Sequence, residues 1–170
     1  MKAAGILVAI ALALALETTI ARFVVTGKVA VDLVLVVVVY VALSSGSVAG
    51  LMTGTIAGLI QDALSSTGVI GIGGLAKTIV GFVTGIVGTQ LNIAEPFARF
   101  VVFFAATVVH QAIVIGLDAV LGLRSFGTPY AAVAGEALGN AVVGVAAFQL
   151  AELLPGAVER RRMGRHRLRR

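Results

Sequence analysis

The chain has no cysteine, no tryptophan, only 3 prolines, 6% aromatic and 12% charged residues in 170. Without cysteine there is no disulfide, no thiolate nucleophile and no Cys-ligated metal. Two isolated histidines, His110 and His166, do not make a zinc site, so the expectation is no metal and no cofactor. Few prolines and low polarity also exclude a Pro-rich or disordered chain. What remains is 59% hydrophobic residues with 21 glycines, too apolar for an ordinary soluble globule. Helices that are apolar on most sides have lipid around them, which makes this an integral membrane protein.

A hydrocarbon core of about 30 Å takes about 20 helical residues per crossing. The hydrophobic pattern divides into six such stretches, near 4–20, 29–43, 48–64, 75–91, 97–121 and 130–154. The expected architecture is therefore an all-α, polytopic membrane bundle of six transmembrane helices over residues 1–158, followed by a tail over 159–170. No dyad alternation of the kind a transmembrane barrel requires runs through the chain. The apolar N-terminal run behind Lys2 lacks a small-x-small cleavage pattern and reads as a retained first helix. Breaks are signalled at Gly27-Lys28, at Ser44–Ser47, at the glycine-rich 65–74 stretch, which reads as a hairpin or re-entrant connection, at Pro96, and at Arg124-Gly127-Pro129.

Charge is concentrated at one end. Arg160, Arg161, Arg162, Arg165, Arg167, Arg169 and Arg170 oppose only Glu159, a net of +6, while residues 1–158 carry six basic and seven acidic side chains. Such a tail is retained on the cytoplasmic side and attracts anionic lipids. With no aromatic neighbours it reads as a topology and lipid anchor and not as a nucleic-acid site. Six crossings then place both termini in the cytoplasm, although Arg22 and Lys28 fall on the opposite side.

Gly46, Gly50, Gly54 and Gly58 recur every four residues, and Gly81, Gly85 and Gly88 mark a similar face on the next helix. In lipid such stripes let helices approach closely, within the chain or against a partner. Asp62 continues the first stripe and Lys77 lies on the second, so the expectation is an Asp62–Lys77 pair, either a clasp for the hairpin or a substrate or gating pair. His110, Gln111 and Asp118 border a polar strip on the fifth helix, and Glu136 and Asn140 stand one turn apart on the sixth. Glu17 and Asp32 lie near span ends, where they reach headgroups or water, and receive no chemical role. No phosphate loop, HExxH or G-x-S-x-G segment is present, and catalysis is not expected.

Residues 50–85, GLMTGTIAGLIQDALSSTGVIGIGGLAKTIVGFVTG, resemble the signature region of the bacterial rod shape-determining MreD family. The resemblance rests on Gly54, Gly58, Leu59 and Asp62, then Gly68 and Gly71, then Gly81 and Gly85. It implies a non-catalytic, multi-pass component of the cytoplasmic membrane in the cell-elongation machinery for peptidoglycan synthesis. The implied partners are a bitopic MreC-like protein, the MreB filament and the RodA/penicillin-binding-protein synthase complex. The family is also similar in fold to the membrane substrate-binding subunits of energy-coupling-factor transporters, which leaves a small-molecule-binding subunit as the alternative reading.

Overall fold

The computed structural model describes residues 3–23, 31–65, 69–90, 95–122 and 130–167, with side chains described for 4–19, 31–65, 69–90, 95–122 and 130–153. Among the described residues six helices follow one another: α1 (Ala3–Phe23), α2 (Leu33–Ser45), α3 (Ser47–Leu64), α4 (Ile72–Gln90), α5 (Pro96–Val120) and α6 (Tyr130–Arg167). The architecture is an all-α bundle. Ile72–Gln90, Pro96–Val120 and Tyr130–Leu153 are long and apolar enough to cross a membrane, while Ala4–Thr19 and Leu33–Ser45 are shorter apolar helices.

The valine-rich α2 is the centre of the bundle and touches every other helix. Val34, Leu35, Val36, Val38, Val39, Val41 and Ala42 are all buried, so the helix is enclosed on every side. That explains a composition with no polar stripe. One cluster joins Leu35, Val36 and Val39 to Val80, Phe103, Ala106 and Ala141; another joins Val34 and Val38 to Ile10, Ala13 and Ala57. Branched side chains have little rotamer freedom to lose when they are buried, and this suits them to such a core.

Two antiparallel pairs flank α2. In α3 and α4, Gly50 faces the Gly81 carbonyl, Gly54 the Lys77 carbonyl and Gly58 the Cα of Gly74, so any Cβ at these positions would strike backbone. Gly85 meets the backbone of Ser47, and Gly88 lies against Leu43. Gly46, at φ +90°, is the single residue between α2 and α3 and makes their reversal possible. In α5 and α6, Gly144 leaves the notch that the Phe103 ring fills. Helix α1 packs on the outside against α2 and α3.

Three boundaries differ from the sequence expectation. Helix α2 begins at Leu33 and not at residue 29, because the Asp32 carboxylate caps its first turn, accepting from Leu35 N–H at 2.7 Å. Helix α4 begins at Ile72, so Gly73 and Gly74 belong to its first turn and not to the connection. Helix α6 continues past residue 154, where the last hydrophobic stretch ends, through Pro155 to Arg167. The expected turn at 27–28, Gly68 and the Arg124-Gly127-Pro129 turn lie outside the described residues, as do the side chains of Arg22 and of the arginine tail.

Candidate functional site

The polar residues of the bundle interior meet around the N-terminus of α2. Asp32 accepts from Leu35 N–H through Oδ1 and pairs through Oδ2 with Lys77 Nζ of α4 at 2.7 Å. Lys77 Nζ also lies 3.3 Å from His110 Nε2 of α5. An ammonium can only donate, so Nε2 is the accepting nitrogen and the imidazole proton sits on Nδ1. Asp32 N–H donates to Asn140 Oδ1 of α6 at 2.9 Å; Asn140 Nδ2 donates to Thr107 Oγ1 at 3.2 Å, and Thr107 Oγ1 to the Phe103 carbonyl at 2.9 Å. Lys77, His110, Asn140 and Thr107 are all buried. One connected network thus ties α2, α4, α5 and α6 together near the middle of α5.

Two further pairs surround it. Gln111 Nε2 donates to Glu136 Oε2 at 2.6 Å, linking α5 to α6, and Gln61 Nε2 donates to Glu17 Oε1 at 2.6 Å, linking α3 to α1. Among the described residues, Glu17 Oε2, Gln61 Oε1 and His110 Nδ1 are buried without a hydrogen-bond partner. Asp32, His110 and Glu136 each bring a ligand-capable atom within 4.8 Å of the others. Charges at this depth are costly unless paired, and the pairing is what this arrangement supplies.

The Asp62–Lys77 pair expected from sequence does not form. Lys77 is taken by Asp32, and Asp62 instead caps α4 from across the hairpin, its Oδ2 accepting from Gly71 N–H at 2.8 Å and Gly74 N–H at 3.0 Å. The physical reason is the α4 N-terminus, whose unpaired N–H groups and dipole attract a carboxylate standing directly opposite. His110, Gln111, Glu136 and Asn140 do converge, while Asp118 lies two turns further along α5.

Sequence reasoning missed Asp32, the residue on which the network turns. An Asp directly before an unbroken apolar run is a helix-start signal, and it was present in Asp32-Leu33-Val34-Leu35. It also missed Glu17 and a second ion pair, at the other end of the α5–α6 pair. There Arg99 reaches Glu152 through two hydrogen bonds of 3.0 and 2.6 Å, and its guanidinium stacks 4.3 Å from the Phe148 ring centroid. Phe148 in turn meets Tyr40 of α2 edge-on at 4.8 Å. Residues 53 positions apart gave no local signal for that contact.

Apart from Gly46, which has nothing within 4 Å of a Cβ, the glycine stripes pack within the chain. Gly50, Gly54, Gly58, Gly81 and Gly85 face the backbone of the neighbouring helix of the α3–α4 pair, while Leu12, Leu16, Met52, Ile56, Val101 and Val142 are among the exposed apolar side chains.

Residues 3–151 match the family model described as rod shape-determining protein MreD. No curated protein and no solved structure matches the chain. A match over most of the length, on a bundle whose interior is held by intramembrane pairs and whose outer faces are apolar, places the chain in the MreD family, as a non-catalytic, multi-pass inner-membrane protein of the rod-shape system.

Proposed function

We propose that the protein is a membrane scaffold in lateral peptidoglycan synthesis, with all six helices crossing the bilayer and both termini in the cytoplasm. Its partners are the transmembrane segment of an MreC-like bitopic protein and, with it, the MreB filament and the RodA/penicillin-binding-protein synthase complex; the arginine tail holds anionic lipid. The observation that carries this reading is the family match over residues 3–151. Because the small-residue stripes are occupied internally, the partner helix meets an outward apolar face and uses packing against exposed Leu and Val side chains.

Photo-crosslinking in the native membrane tests it. A crosslinking residue is placed at outward positions Leu12, Val101 or Val142, and at Thr107 inside the bundle as a control. The expected outcome is capture of a bitopic elongation protein from at least one outward position and from none inside. Purification with ATPase subunits and a vitamin-like ligand, and without a bitopic partner, sinks the scaffold reading in favour of a transporter subunit.

A further inference from the structure

Three carboxylates and one ammonium share the polar centre. Asp32 touches Lys77 directly, and Glu17 and Glu136 both lie within electrostatic reach of Lys77 and of Asp32. With all four groups ionised the centre has a formal charge of −2, in surroundings where each unbalanced charge is costly. Asp32, His110 and Glu136, from α2, α5 and α6, present one oxygen, one nitrogen and one oxygen within 4.8 Å of one another. Imidazole with carboxylates is a donor set for a divalent transition ion, and three protein ligands leave a coordination position open.

We infer that Asp32, His110 and Glu136 form an intramembrane site for a divalent cation of the zinc class, with the Lys77 ammonium as a tethered cation that competes for the same place. The ammonium lies 2.7 Å from Asp32 Oδ2 and 3.3 Å from His110 Nε2, so it already stands against two of the three ligands. Zinc bonds of about 2.0–2.2 Å set tetrahedral ligands about 3.3 Å apart, so the ion would draw the three side chains together by about 1.5 Å. Glu17 Oε2, buried and unpartnered, lies within electrostatic reach of the ammonium that the ion would displace. A divalent ion added to the three carboxylates and the one ammonium brings the formal charge to zero. His110 is therefore not the isolated histidine that the sequence suggested.

The inference is independent of the scaffold reading, and its test uses the full chain in lipid nanodiscs after a chelator wash. Zinc ion is titrated against a chromogenic chelator, with bound metal counted by mass spectrometry and thermal melting followed in parallel. The expected result is one zinc per chain and a metal-dependent rise in melting temperature. His110→Asn and Glu136→Gln should each weaken binding by about 10–100-fold, at least what loss of an outer-shell partner costs. Lys77→Met should melt lower than the parent without metal and gain more from zinc, because the competing cation is gone. The inference is overturned if neither the parent nor Lys77→Met binds zinc. It is equally overturned if binding survives in the His110→Asn/Glu136→Gln double variant, which would place the ion elsewhere, for instance at His166.

Discussion

At Lys77 the backbone carbonyl faces Gly54 in the α3–α4 contact while the ammonium ends between Asp32 and His110, so one residue serves both packing and charge balance. Removing one member of a buried pair leaves the other unbalanced, at a cost of about 3–5 kcal/mol, whereas removing both costs much less. Lys77→Met should therefore destabilise the protein by about that amount and Asp32→Asn/Lys77→Met should recover most of it, as read by a double-variant cycle of unfolding in detergent. Additive losses would mean that the two groups do not act as a pair. Asp62 gives a milder case. Its carboxylate satisfies two N–H groups at the start of α4, and Asp62→Ala should cost about 1–2 kcal/mol, the range for a lost helix cap. Asp62→Asn, which keeps an accepting oxygen, should cost less.

At the scale of the element, α3 and α4 show how a small-residue stripe becomes a rigid unit. Gly54 is pressed on the Lys77 carbonyl, and a methyl there has only backbone to displace. Gly54→Ala should separate the two helices and cost about 1–3 kcal/mol by overpacking. Gly116, in α5, has nothing within 4 Å of a Cβ, so Gly116→Ala should be neutral or stabilise by about 0.5–1 kcal/mol. Melting curves of the two variants separate a contact glycine from an idle one; equal effects would refute the contact. This contrast also marks what the sequence could tell. The four-residue spacing disclosed a close-packed face on α3, and the apolar runs disclosed six helices, because both are local periodicities. Which helix covered that face, and which carboxylate found Lys77, depended on contacts between α2, α4, α5 and α6. Asp62 and Lys77 looked adjacent along the hairpin, yet the exposed N–H groups of α4 competed successfully for Asp62, and Asp32, 45 residues before Lys77, took the ammonium.

Taken whole, the molecule places its polar centre unevenly along its length. Lys77 lies six residues into α4, about 9 Å from the α3–α4 turn, and Asp32 begins a 13-residue helix of about 20 Å that runs from that level to the opposite end at Gly46. A full crossing takes about 30 Å, so on the proposed topology α2 begins inside the bilayer and relies on the surrounding helices to enclose its first turn. The proposed orientation rests on the seven arginines after residue 159, since basic residues next to a span are retained in the cytoplasm. On the proposed six-crossing topology, the Gly46 end lies inside and the Val69 turn outside, and the polar centre is nearer the outer surface. The native chain has no cysteine, so single cysteines report without background. Val69→Cys should react with a membrane-impermeant maleimide in intact spheroplasts. Ser44→Cys and a cysteine appended after Arg170 should react only once the membrane is opened. The reverse pattern would invert the topology and put the arginine tail outside, against the charge rule. Labelling of Val69→Cys and the appended cysteine together in intact spheroplasts would mean that the chain crosses an even number of times between them, and that at least one of the three helices α4, α5 and α6 does not span.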